Sequence, residues 1–164
     1  DNMNNKGFTL VELLVTIAIL GILSTVTIVT VSKYFERSKD NAVTAFEKNI
    51  TDYVDSYISM YGSKSKYTKY IDAQKCYVVT DTEKCDNVSL EYTEINFNTL
   101  NEKHIASGEL INPSTKVKCD TGKITIYRDS DYVYCFIVNE SNCSNKINMC
   151  KNKYKVNGEY IFNE

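Results

Sequence analysis

Histidine and proline are almost missing from this chain, with one of each in 164 residues. A single imidazole, His104, rules out a His-rich metal site or an H-E-x-x-H metalloprotease helix, and a lone histidine usually serves structure. The G-x-S-x-G elbow, the G-x-x-x-x-G-K-[ST] phosphate loop and the G-x-G-x-x-G turn are absent too. No hydrolase, nucleotide or dinucleotide site is therefore written in the sequence. Charge of one sign is also lacking: 19 basic and 21 acidic side chains leave −2, which argues against a hold on nucleic acid through overall charge. Length is short as well: 164 residues make about one domain's worth, so one compact core with an appended element is expected rather than a two-domain enzyme. The chain reads as a non-enzyme without a cofactor. Disorder is excluded from the other side, by 43% apolar residues and 13 Tyr.

What the sequence has is unevenly placed. Residues 8–31 read FTLVELLVTIAILGILSTVTIVTV, with Glu12 as the one ionisable side chain. As a helix this run spans about 36 Å, enough for a hydrocarbon layer of about 30 Å. It is too long for a secretory signal, and no A-x-A-like site follows Val31, so the anchor is expected to stay attached. Lys6 before the span keeps the short N-terminus in the cytoplasm and exports the remainder. Glu12 is the anomaly, because an acid inside an apolar helix costs about 2.5–3.5 kcal/mol on insertion scales. Something must compensate for it.

Lys6-Gly7-Phe8-Thr9-Leu10-Val11-Glu12 followed by about twenty apolar residues resembles the class III signal of type IV pilins and type II secretion pseudopilins. The resemblance implies that a membrane prepilin peptidase cuts between Gly7 and Phe8 and methylates the amine of Phe8. It also implies that Glu12 attracts the N-terminal amine of a neighbouring subunit during filament assembly. A carboxylate in a low-dielectric bundle gains greatly from a nearby ammonium, so Glu12 would select one axial register. Unlike many pilins, this span contains no proline; Gly21 and the β-branched run 25–31 are its weak points. Ala18, Gly21 and Thr25 form a small-residue ridge that permits close helix approach.

Beyond Val31 the pattern becomes amphipathic. Phe35, Ala42, Phe46, Ile50, Tyr53, Tyr57 and Met60 follow one helical stripe with charges between them, and Gly62 supplies the stop. A nearly continuous helix over 8–61 is expected, about 80 Å long, similar to the pilin spine. The run 62–74 reads as a connecting loop. Its Lys64, Lys66 and Lys69 interleave with Tyr67 and Tyr70, which leaves binding of single-stranded nucleic acid as a minor reading. Strands are expected over 76–80, 88–97, 123–128, 132–138 and 154–162, with turns at 128–131 and at Asn157-Gly158, the latter a type I′ signal. A short helix is expected over 99–108, before Glu109-Leu110-Ile111-Asn112-Pro113, a segment similar to one in many pseudopilins and Gram-positive pilins.

Six cysteines, Cys76, Cys85, Cys119, Cys135, Cys143 and Cys150, lie in the part expected to be exported. An even count in an oxidising compartment points to disulfides, with 15 connectivities open. Sequential pairing would close small loops worth about 2.5–3 kcal/mol each. Cys143 with Cys150 is the favoured single pair, because SNKINM between them can form a loop and because pilins commonly staple their C-terminal region. Zinc is disfavoured: no C-x2–4-C spacing occurs. A Cys-His hydrolase using His104 is likewise displaced by the disulfide reading.

The expected fold is α+β: a long N-terminal helix, transmembrane in its first half and amphipathic in its second, packed on a C-terminal antiparallel β-sheet head. The organisation expected is a leader at 1–7, a transmembrane and filament-core helix at 8–31, its amphipathic continuation at 32–61 and an exported head at 62–164. The resemblance implies a structural pilin, held in the cytoplasmic membrane before assembly and then part of a cell-surface filament that adheres or contacts substrates. Its implied partners are further copies or other pilins, prepilin peptidase, the membrane, a separate motor ATPase and a membrane platform. Two rivals stand beside it: a pseudopilin of a secretion or DNA-uptake machine or a minor tip pilin, and a membrane-anchored extracellular binding module that never polymerises.

Overall fold

The computed structural model describes residues 7–120 and 122–162. A long helix, α1 (Leu10–Tyr61), is followed by β1 (Lys69–Val79), β2 (Thr82–Asn96), a short α2 (Phe97–Glu102), β3 (Lys123–Arg128), β4 (Tyr134–Val138), β5 (Ile147–Asn148), β6 (Lys153–Val156) and β7 (Glu159–Ile161). The chain divides into two compact units, Asp1–Asn41 and Ala42–Glu164. The architecture is α+β, as the sequence indicates.

Over residues 10–31 the first unit is helix whose described apolar side chains point outward on every side. Leu10, Leu14, Ile17, Leu20, Ile22 and Ile28 are all exposed. A helix that is apolar all round needs lipid or other helices for a solvent. Its hydroxyls do not spoil that surface: Thr16, Ser24, Thr25 and Ser32 donate to the carbonyl oxygens of Leu13, Leu20, Ile22 and Ile28 at 2.6–2.9 Å. Back-bonding of this kind satisfies hydroxyls without an outside partner.

In the second unit, the end of α1 buries Ile50, Val54 and Tyr57 against Phe97, Leu100, Ile124, Ile126, Phe136 and Val138. The stripe differs from the expected one at both ends. Val54 belongs to it, whereas Met60 and Phe35 are exposed. At 3.6 residues per turn Val54 and Tyr57 stay on the face of Ile50, while Met60, ten residues on, rotates off it. The helix stops at Tyr61; a Cβ at Gly62 would collide with the Ile58 carbonyl oxygen, which accepts the Gly62 N–H at 2.8 Å.

All strand pairs are antiparallel, in the order β5-β4-β3-β2-β1-β6-β7. Because side chains alternate along a strand, Ile95 and Leu90 of β2 face opposite sides. Ile95 packs with the helix-side core, and Leu90 joins Ala73, Tyr154, Val88, Tyr127 and Phe162 in a second, smaller cluster. The expected loop at 62–74 is corrected by β1, which already begins at Lys69. Pairing with Tyr92, not apolar alternation, makes that segment a strand. The helix expected over 99–108 runs instead over Phe97–Glu102, capped by Asn96, whose Oδ1 accepts the Thr99 N–H at 3.0 Å. The Asn157-Gly158 turn is as read: both residues have positive φ (52° and 85°), and Val156 pairs with Glu159.

Candidate functional site

The cysteines are joined as Cys76–Cys85, Cys119–Cys143 and Cys135–Cys150. The first pair is the sequential one. The expected pairs Cys119–Cys135 and Cys143–Cys150 are not formed, and the sheet gives the reason. The β3–β4 hairpin brings Cys119 and Cys143 to its open end, where the Asn139 N–H bonds the Lys123 carbonyl, whereas Cys135 lies towards the turn, opposite Tyr127. β5 then runs back along β4 with Ile137 opposite Asn148 and Val138 opposite Ile147. The same register carried two residues further sets Cys135 beside Cys150. Cys76 and Cys85 are direct cross-strand partners, 4.1 Å apart at Cα. Among the described residues one group of possible metal ligands gathers, Cys76, Glu83 and Cys85, and its two sulfurs are spent on each other.

Two of the basic and aromatic residues in the 62–74 run, Tyr67 and Lys69, are engaged internally. The Tyr67 hydroxyl donates to the Gly62 carbonyl at 3.0 Å, and its ring lies 4.0 Å under the Arg128 guanidinium. Burial, with help from Tyr134, pushes the Tyr67 phenol up to about 12. Lys69 bonds Glu94 at 2.8 Å. Tyr67 and Lys69 are therefore withdrawn from the stacking and charge a nucleic acid would use, and Tyr70 is left exposed. His104 sits on the surface at φ 55°, among Asn98, Asn101, Glu109 and Lys118 in a shallow depression with no nucleophile.

A buried polar centre lies elsewhere, at Asp129. Its side chain is 0% exposed and accepts the Lys75 ammonium at 2.9 Å, the Tyr154 hydroxyl at 2.8 Å and the backbone N–H groups of Asp131 and Val133 at 3.0 and 2.9 Å. Burial alone would raise its pKa, but the Lys75, Val133 and Tyr154 hydrogen bonds outweigh burial and hold it below the usual carboxylate value. The sequence marks Arg128-Asp129-Ser130-Asp131 only as a turn. Asp129 does organise that turn, and the lysine and tyrosine that complete the centre come from strands distant in sequence.

At the other end of the chain, Gly7 and Phe8 precede the helix in exposed positions, with nothing within 4 Å of where a Gly7 Cβ would stand. The bond between them is open to a peptidase. Lys6 lies outside the described residues. The first residue of α1 is Leu10, which makes Thr9 the N-cap and Glu12 the third helical residue. The Glu12 Oε2 atom accepts the Thr9 N–H at 2.9 Å and the Thr9 hydroxyl at 2.8 Å, and the Glu12 N–H reaches the Thr9 hydroxyl at 3.3 Å. This is a capping box. Its sequence signal is Thr-x-x-Glu before an apolar run. Residues 2–28 match the family model described as the prokaryotic N-terminal methylation motif.

The chain carries the class III signal of type IV pilins and pseudopilins.

Comparison with curated proteins and with solved structures gives no match. The methylation motif covers the apolar start of the chain and leaves the β-sheet unit unassigned. It marks structural subunits and implies processing by a prepilin peptidase and handling by pilus-type assembly machinery. Together with the exposed apolar helix, the class III signal points to membrane anchoring.

Proposed function

We propose that this protein is the precursor of a structural subunit of a type IV pilus-like filament, cut between Gly7 and Phe8, methylated at Phe8 and assembled through its N-terminal helix. The observation that carries the reading is a helix exposing apolar side chains all round, with one carboxylate, Glu12, five positions beyond the open Gly7–Phe8 bond. In the membrane, lipid covers that surface. In a filament, neighbouring helices cover it, and Glu12 meets the methylated amine of Phe8 in an adjacent copy. The membrane-tethered precursor becomes a cell-surface polymer driven by a separate ATPase and platform, since no phosphate-binding loop occurs in the chain.

Expression with a prepilin peptidase and assembly machinery, followed by shearing, electron microscopy and intact-mass measurement, tests this reading. The sheared subunit should start at Phe8 and carry about 14 Da more than the same chain without the methyl group. Glu12→Ala should give processed subunits that stay in the membrane fraction. Filaments of normal abundance from Glu12→Ala, or a native chain that still carries Gly7, would defeat the proposal.

A further inference from the structure

The β1–β2 ribbon carries an open cleft of about 680 Å³. That volume lies within the usual range of small-molecule sites, about 300–1,000 Å³. Its floor comes from two strands in fixed register: Asp72 stands opposite Ser89, and Gln74 opposite Asn87. Alternation puts these four side chains on one face, with Ala73 and Leu90 turned to the small core behind. The Asn157-Gly158 turn forms one wall. The Cys76–Cys85 disulfide on the same face ties the two strands at the end of the floor.

The chemistry of the floor narrows the ligand. The Gln74 amide N–H donates to Asn87 Oδ1 at 3.1 Å. This fixes both carboxamides and leaves the Gln74 oxygen as an acceptor and the Asn87 amide as a donor. The Asp72 carboxylate and the Ser89 hydroxyl have no hydrogen-bond or charge partner among the described residues. Lys155, the one cation at the cleft, is bound to Glu83 at 2.6 Å, so no free positive charge awaits a phosphate or sulfate. A site of short acceptors and donors with one unpaired carboxylate suits vicinal hydroxyl groups, which both donate and accept at adjacent positions. Two residues before Asp72 on the same face, Tyr70 is 74% exposed and makes no ring contact among the described residues. It offers an apolar ring face beside the polar floor.

We propose that this cleft binds an uncharged pyranose unit of a glycan. Asp72 and Asn87 take a vicinal hydroxyl pair, Ser89 and Gln74 take neighbouring hydroxyls, and Tyr70 packs on the C–H face of the sugar ring. The site belongs to the β-sheet unit alone and does not depend on filament assembly, so a failed assembly experiment and a failed sugar titration are separate results.

The test is NMR titration of the full ¹⁵N-labelled chain in detergent micelles. The probes are the methyl glycosides of glucose, galactose, mannose and N-acetylglucosamine, each taken to about 50 mM. At least one should give saturable shifts at Asp72, Gln74, Asn87 and Ser89, with a Kd of about 0.1–10 mM, as a small polar ligand with few contacts allows. Asp72→Asn and Asn87→Ala should each weaken that binding about tenfold, the value of one hydrogen bond lost to a hydroxyl. Ser89→Ala supplies a milder variant should either fold poorly, and Glu140→Gln, on an exposed loop, should change nothing. No saturable shift with any of the four probes, or binding that persists undiminished in the folded floor variants, would overturn the proposal.

Discussion

Asp129→Ala should be among the most damaging single substitutions in the β-sheet unit. The wild-type carboxylate is fully buried and accepts four hydrogen bonds, from Lys75, Tyr154 and two backbone N–H groups. Removing it leaves the partly buried Lys75 ammonium only the Asp131 carboxylate at 3.7 Å, takes the acceptor from the buried Tyr154 hydroxyl and opens the β3–β4 turn. Breaking a buried ion pair costs about 3–5 kcal/mol, and about 3 is apt here because the Lys75 side chain keeps 26% of its surface. For a domain of this size that is a fall in Tm of roughly 12 °C. The pH dependence has a definite sign. The folded carboxyl titrates below its ordinary value, so its contribution is present above about pH 3.9 and disappears as pH falls through the lower folded pKa. The Asp129 hydrogen bond raises the Lys75 pKa, so that contribution holds below about pH 10.4 and is lost as pH rises through the higher folded value. Thermal unfolding of the full chain in detergent, followed by near-ultraviolet circular dichroism, reads both effects. Wild type and Asp129→Ala should differ most between those limits and converge in acid. A variant within about 2 °C of wild type at pH 7, or a difference that widens in acid, would refute the reasoning.

Non-reducing proteolysis with mass spectrometry should recover the linked pairs Cys76–Cys85, Cys119–Cys143 and Cys135–Cys150; a Cys143–Cys150 peptide would contradict the strand register that separates them. Of the three, Cys119–Cys143 closes the longest loop, 24 residues, so its removal should cost most, about 3.4 kcal/mol on the chain-entropy model, read by chemical denaturation. Gly158→Ala isolates a backbone effect, because φ is +85° and no atom lies within 4 Å of the added methyl. It should cost about 1 kcal/mol in the same assay, and a stabilised variant would exclude the left-handed turn. Thr9→Val keeps the shape of the side chain and deletes the hydroxyl that bonds Glu12. It should lower helix stability by about 1 kcal/mol and reduce filament yield while processing continues; unchanged yield would remove Thr9 from assembly.

Where sequence and structure agree, the local signal and the tertiary context point the same way. KITIYR alternates and becomes β3, and Asn157-Gly158 carries its turn chemistry in two residues. Where they part, a distant partner decides. Lys69, Tyr70 and Asp72 have no strand periodicity, yet β2 recruits them. The Thr80-Asp81 turn between those strands takes positive φ at both positions, and Asp81 alone, without glycine or asparagine, is a weak turn signal. The cysteine pairs follow from which end of a hairpin each residue occupies, and that requires the return path of β5. Asp129 was hidden for a similar reason: one of its partners precedes it by 54 residues and the other follows it by 25.

Under the proposed function, Glu12 combines two roles that a carboxylate in an apolar helix would otherwise make incompatible. An acid left bare in the membrane is costly, and one fully sealed in its own helix has nothing to offer a neighbour. The capping box divides the group between these demands. Oε2 receives both Thr9 hydrogen bonds, satisfying a backbone donor that the helix start leaves orphaned and compensating for part of the desolvation. Neither of those bonds uses Oε1. In the proposed filament an arriving ammonium gains a second oxygen already oriented by the first, so the attraction is strong at one axial offset and falls away when the helices slip by a residue. The proposed cleavage after Gly7 fits the same geometry, because it would create the amine two residues before the helix, where the proposed filament would bring a neighbour's Glu12. On this reading the threonine matters to assembly through the acid it holds, and its distance from the amine of its partner is no objection.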